Sequence, residues 1–169
     1  MANPANPWLP PAEYIATLPR ATAYACLYFT DTEGRPFQLR ATYRTESWQW
    51  PGGNMDPGET PWETAVRECH EETGIVFRGE PKLLGTHFVS DRGEEWPANH
   101  IGFIFDGGVL TPAQIDAVVL DPDEHSEFAV RTLAEWEREM TPRNFARLAE
   151  IDRARRLGTT VYVETGADV

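Results

Sequence analysis

Three glutamates, Glu68, Glu71 and Glu72, stand in the pattern Glu-x-x-Glu-Glu within residues 50–75, WPGGNMDPGETPWETAVRECHEETGI. On a helix this spacing puts all three carboxylates on one face, where they repel one another. Glu71 and Glu72 also fall in the last turn, where the negative end of the helix dipole disfavours anions. A solvated acidic face is the ordinary use of such a run, but a purely structural sequence would gain by exchanging one glutamate for lysine. Hard oxygen ligands at this spacing suit divalent cations held between them.

The chain supplies the helix that this chemistry requires. Thr60 is an N-cap, Pro61 suits the first helical position, and Glu63 completes a capping box. Gly74 is a C-terminal stop, so the helix is expected over Pro61–Thr73. Trp62, Ala65, Val66, Cys69 and Thr73 then share the side that packs on a core. Arg67 lies one turn from both Glu63 and Glu71, and its fork can orient a carboxylate. Glu59, in the loop before the helix, either pairs with Arg67 and supports the site or simply complements the helix dipole. Gly52 and Gly53 let the backbone approach a ligand or metal closely.

The order Gly53, five residues, Glu59, seven residues, then Arg67-Glu68-Cys69-x-Glu71-Glu72-x-Gly74-Ile75 resembles the Nudix box, the signature of the Nudix hydrolase family. Cys69 stands where that family carries Leu, Ile or Val, and a buried cysteine behaves as a small hydrophobe. The resemblance implies an α/β fold, an α/β/α sandwich with a mixed β-sheet. It implies Glu68, Glu71 and Glu72 as ligands of Mg2+, with Mn2+ as the alternative ion, and the Gly52 carbonyl as a further ligand. Arg67 would orient a carboxylate rather than bind substrate, and Glu71 would join it in catalysis. The family often draws its general base from a loop before the last strand. Here that loop holds Asp121, Asp123, Glu124 and Glu127, and Glu124 is the favoured candidate. Arg40 and Arg44 are expected to face the diphosphate, with His87, Arg92 and His100 as further candidates. Trp48 or Tyr43 would stack on a base.

The 169 residues fit one domain large enough to bury a core without staples. Fifteen basic against 27 acidic residues leave a net charge of −12. No basic run occurs outside Arg153-Ala-Arg155-Arg156, which argues against a general nucleic-acid or anionic membrane surface. An anionic small substrate stays open, because bound metal ions would invert the local field. The two cysteines, Cys26 in a strand-like run and Cys69 on the helix's apolar side, read as buried thiols of a reducing compartment. No signal-peptide pattern or long apolar run occurs, so the expectation is a cytoplasmic protein.

Residues 1–18 read as a proline-rich arm, with Trp8 and Leu9 able to dock on the body or on a second subunit, and 19–169 as a single domain. Strands are expected over 21–30, 36–43, 82–90, 100–105, 128–130 and 160–164, with turns at 31–34 and at Gly107-Gly108. Phe37, Leu39 and Ala41 alternate with Gln38, Arg40 and Thr42, giving one core face and one polar face. Thr132 caps a helix over 133–140, and another follows Thr141-Pro142 to Leu157, with Phe145, Leu148, Ile151 and Leu157 as its core stripe.

The expected function is Mg2+-dependent hydrolysis of a diphosphate bond in a nucleoside diphosphate linked to another group, by a protein that could be a homodimer. The resemblance leaves the linked group open: nucleotide sugars, ADP-ribose, dinucleoside polyphosphates, oxidised nucleoside triphosphates and capped RNA ends are all cleaved within the family. One rival is a Nudix-like domain that senses a nucleotide without cutting it, but such domains commonly lose box carboxylates. A second, a prenyl-diphosphate isomerase, needs an exposed catalytic Cys/Glu pair, and none is evident.

Overall fold

Alternation along one long strand sets the architecture. Between Ala21 and Asp31 the side chains of Ala25, Leu27 and Phe29 enter one hydrophobic cluster, and those of Cys26 and Tyr28 enter another. A strand buried on both faces needs a layer on each side. The computed structural model describes residues 9–42 and 47–165. Its elements are α1 (Pro11–Ala16), β1 (Ala21–Asp31), β2 (Phe37–Ala41), β3 (Trp48–Gln49), β4 (Gly52–Asn54), α2 (Pro61–Thr73), β5 (Leu83–Val89), β6 (Asn99–Leu110), α3 (Pro112–Asp116), β7 (His125–Val130), α4 (Leu133–Glu139), α5 (Pro142–Leu157) and β8 (Val161–Thr165).

Among the described residues the main sheet has the order β4-β1-β6-β5-β8, and a smaller one the order β3-β2-β7. In the main sheet β1 runs parallel to β6, and β5 parallel to β8, while β4 and β5 lie antiparallel to β1 and β6 respectively. Helix α2 brings Ala65 and Cys69 to the cluster of Ala25, Leu27 and Phe29. On the opposite face α4 and α5 bring Trp136, Leu148 and Ile151 against Cys26, Tyr28 and Ile104. The result is an α/β/α sandwich with a mixed sheet.

Helix α2 has the expected bounds, and its caps explain them. Thr60 Oγ1 accepts from the Glu63 amide, Glu63 accepts from the Thr60 amide, and Gly74 closes the helix in the left-handed region at φ 71°. A second capping box, Thr111 with Gln114, starts the short α3, which the sequence reading passed over.

Three expectations are corrected. Gly107-Gly108 is not a turn. Strand β6 runs through it, and the register against β1 slips so that Tyr28 faces Asp106 and Phe29 faces Gly108. Gly107 is the extra residue of this bulge, and a Cβ there would collide with the Phe29 ring. The polar face of β2 is covered, with Gln38 buried as deeply as Phe37 and Leu39. Leu157 is 62% exposed, and Ala154 joins Leu148 and Ile151 in the buried stripe of α5. Asp152 is buried there too, accepting from Tyr28 Oη at 2.8 Å. No described helix is long and apolar enough to cross a membrane. Trp8 lies outside the described residues.

Candidate active site

The buried end of α2 carries the chemistry. Glu72, 3% exposed, is gripped at both oxygens: the Gly52 amide donates to Oε2 at 2.7 Å, and His125 Nε2 donates to Oε1 at 2.7 Å. Gly52 lies so close to β1 that a Cβ would collide with the Ala25 carbonyl and Cys26. A Cβ on Gly53 would strike the Glu68 carboxylate. Pro-Gly-Gly therefore lets β4 slide beneath the helix carboxylates, and its observed hydrogen bond to the site comes from the Gly52 N–H.

Arg67 organises the outer carboxylates. Its Nε and Nη2 grip Glu59 at 2.6 and 2.9 Å, and Nη1 reaches Glu71 at 2.8 Å and Glu68 at 3.0 Å. Glu63 stays with the cap instead of pairing with Arg67. The Arg67 fork, with help from Thr64 Oγ1 and the Asp56 amide, holds Glu59 down at about 2. Glu71, 56% exposed, is the most solvated of the three box glutamates.

The acidic loop before β7 docks on the same helix end. The Asp121 amide donates to the Glu72 carbonyl at 3.2 Å, and the Glu124 carbonyl accepts from the Thr42 amide at 2.9 Å. This brings one ligand atom each of Glu72, Glu124 and His125 within 4.8 Å of one another. Glu127 points elsewhere and pairs with Arg40 across β2 at 3.3 Å. Burial raises Glu72's affinity for a proton, against the His125 and Gly52 hydrogen bonds. Burial likewise raises Glu68, against Arg67 and with the repulsion of Glu72 and Glu71. Burial opposes a charged His125, but Glu72 and Glu124 outweigh it and raise its pKa. Buried carboxylates with raised proton affinity are a hard donor set that a divalent cation satisfies. Glu72, whose ligand atom lies within 4.8 Å of those of Glu124 and His125, could help hold it.

Beyond Gly52 a cleft of about 350 Å³ opens on the α5 side of the sheet. Its walls include Tyr24, Trp50, His87, Arg92, His100, Arg143 and Arg147. His87 is fixed at both ring nitrogens, with Tyr24 Oη at 2.6 Å from Nδ1 and Thr165 Oγ1 at 2.7 Å from Nε2. Burial, then Arg147, Arg143 and His100, push its pKa down to about 3, so the ring is neutral at pH 7. His87, Arg92 and His100, expected near the diphosphate, do line this cleft. Arg40 and Trp48 do not. Trp48 is 1% exposed, edge-on to Trp136 and covered by the Arg40 guanidinium 4.6 Å above its ring, so no face is left for a base. Tyr43 and Arg44 lie outside the described residues.

Four participants escaped the sequence reading. His125 follows Glu124 directly, and a lone histidine inside an acidic run was the available signal. Arg143 and Arg147 sit at i and i+4 at the start of α5, the end of a helix that disfavours cations. Trp50 immediately precedes Pro51-Gly52-Gly53.

A NUDIX domain family model matches residues 19–151, so the chain belongs to the Nudix hydrolase family. An RNA pyrophosphohydrolase of Erythrobacter litoralis is 59% identical over 96 residues, 48% of this chain and 57% of that protein. One of Azorhizobium caulinodans is 41% identical over 63 residues, 34% of this chain and 38% of its own length. These matches span less than two thirds of either relative. The crystal structure of a MutT protein from Methanosarcina mazei Go1 superposes with a TM-score of 0.63 at 25% identity, covering 83% of this chain and 96% of that one.

Proposed function

We propose that this protein hydrolyses a diphosphate bond in a nucleoside diphosphate linked to another group, with Mg2+ or Mn2+ as cofactor. The observation that carries the reading is the buried Glu72, gripped by Gly52 and His125 beside Glu124, where the arginine-lined cleft begins. Charge accumulates on phosphoryl oxygens during hydrolysis, so positioning and neutralisation supply most of the catalysis. Glu68, Glu71 and Glu72 would hold a divalent cation that, when bound, would supply that neutralisation and lower the pKa of a water.

The chain's own residues do the rest. Glu124, exposed beside Glu72, takes a proton from the attacking water. The water oxygen bonds to phosphorus while the bond from phosphorus to the bridging oxygen breaks. The electron pair leaves with that oxygen, giving two phosphorylated products. Arg67 holds Glu71 and Glu68 in place, so the carboxylates need little reorganisation during the reaction. Both thiols are pushed up to about 12 by burial and stay protonated, so neither serves as a nucleophile or a thiolate base.

The test is product release from a panel of nucleoside diphosphate derivatives, with and without Mg2+ or Mn2+, for wild type beside Glu72→Gln. Metal-dependent turnover in wild type and its collapse in the variant are expected. Nucleotide binding with no product from any panel member would replace this reading with the sensing domain.

A further inference from the structure

The arginine cleft contains an unusual excess of cations for this chain. The protein has 27 acidic residues against 15 basic ones, yet no described residue lining the cleft is acidic, and three are arginines. Other half-buried arginines are neutralised: Arg35 by Asp31, Arg67 by Glu59, Arg131 by Glu139 and Arg155 by Asp106. Arg143 and Arg147 have no ion pair among the described residues.

Their position costs the fold stability. Arg143 lies in the first turn of α5, which contains no acidic residue, so it adds a cation to the positive end of the dipole, and Arg147 follows one turn later beside it. An anion between them reverses that penalty.

The cleft is also preorganised. The Arg147 guanidinium lies 4.7 Å above the Trp50 ring, and its Nη1 stands 3.5 Å from His87 Nδ1. An arginine can only donate, so Nδ1 is the acceptor of the neutral ring and Nε2–H points to Thr165. Trp50 is 4% exposed, and its Nε1 is buried without a partner among the described residues, as is Nε of both Arg92 and Arg147. The Arg92 and Arg147 side chains therefore keep donor capacity that the described protein groups do not use.

The aromatic faces exclude a base. Arg147 covers Trp50, and Tyr24 stacks on His100 at 4.7 Å with its edge toward His87. Phosphate oxygens, which accept several hydrogen bonds and carry charge, match these walls far better than a nucleobase.

We propose that Arg92, Arg143 and Arg147 form a subsite for a phosphate chain, so that the group linked to the scissile diphosphate itself carries phosphate. The substrate class is then a linear chain of three or more phosphoryl groups, as in a dinucleoside polyphosphate or a 5′-triphosphate end, rather than a nucleotide joined to a neutral sugar. The word substrate rests on the hydrolase reading above; the anion subsite does not.

Two measurements separate them. In metal-free buffer, calorimetry with inorganic tripolyphosphate reads the subsite alone. Wild type binds, and Arg143→Gln and Arg147→Gln each weaken binding by about 10-fold or more, the scale of charge-assisted hydrogen bonds. Arg147→Lys restores only part of it, because the fork is lost. Arg143→Gln removes no described ion pair, and thermal melting of both variants identifies any that fails to fold. In turnover with Mg2+, kcat/KM for diadenosine tetraphosphate and for a 5′-triphosphorylated dinucleotide is compared with that for ADP-ribose. Both arginine variants lose at least about 10-fold more on the phosphate-chain substrates, mainly in KM, and the more affected of the two identifies the source of the chain. Equal losses on all three substrates, or tripolyphosphate binding unchanged by either variant, overturn the proposal and leave the hydrolase reading intact. If no substrate turns over while tripolyphosphate binding still depends on both arginines, the subsite survives and the hydrolase reading fails.

Discussion

Two buried histidines mark the opposite electrostatic characters of the two ends of this site. His125 touches Glu72, and the surrounding carboxylates raise its pKa despite burial. His87 stands beside Arg147, and burial with the surrounding cations drives it down to about 3. The same imidazole is pushed in opposite directions at the two ends of the site. A molecule that spans the two ends needs metal ions at one and negative charge at the other, which is how a phosphate chain can bind a protein of net charge −12.

The sharpest way to break the carboxylate end is Glu124→Gln, which keeps shape and removes the base. If Glu124 takes the water proton, kcat falls by about 10²–10⁴-fold with KM little changed. A loss confined to metal affinity, seen as full recovery at high Mg2+, would instead make Glu124 a ligand only. His125 tests the support behind Glu72. His125→Ala removes the Oε1 donor and is expected to lower activity by about 10–100-fold, the usual scale for groups that orient metal ligands. His125→Gln, able to donate from a similar position, should recover part of the loss. Identical kinetics for the two variants would show that volume, and not the hydrogen bond, is what His125 provides.

The two ends also differ in how legible they were. The carboxylate end is written in local signals. Thr60, Pro61, Glu63 and Gly74 fix the helix within a few residues of each carboxylate, so the bounds and the relative placement of Glu68 and Glu72 could be read directly. The cation end is assembled from β1, β5, the loop before β6, and α5, residues far apart in sequence with no shared pattern. Arg40 and Trp48 looked equally suited to bind an anion and a base. Only the packing of β2 and β3 under α4 shows them facing Glu127 and Trp136 instead. Gly107-Gly108 failed for a related reason: a glycine pair signals a turn when no neighbouring strand is known, and a bulge when β1 lies alongside. Leu157 failed because the helix's buried side narrows at its C-terminal end, where Asp152 and Ala154 meet the sheet.

His87 provides the smallest and cleanest comparison of the two ends. Above pH 6.5 it is neutral whether the chain is folded or unfolded, and it contributes no pH dependence. Below 6.5 the unfolded chain takes up a proton at this position that the folded chain refuses until about pH 3. The unfolded state therefore binds more protons, and stability falls as pH falls through that window, by about 1.4 kcal/mol per pH unit once the pH is well below 6.5. Urea melts of wild type and His87→Gln between pH 7 and pH 4.5 should diverge in slope, with the variant flatter. Among the described residues the groups facing His87 are Tyr24, Arg143, Arg147, His100 and Thr165, and none of these is a carboxylate that could mimic the effect. Saturating tripolyphosphate supplies the negative charge these walls lack. It should bring the wild-type slope toward that of the variant, because an occupied cleft makes the imidazolium easier to form. Parallel slopes for wild type and variant in its absence would mean that His87 is protonated with the rest of the chain, and the cation end is less strongly positive than its three arginines indicate.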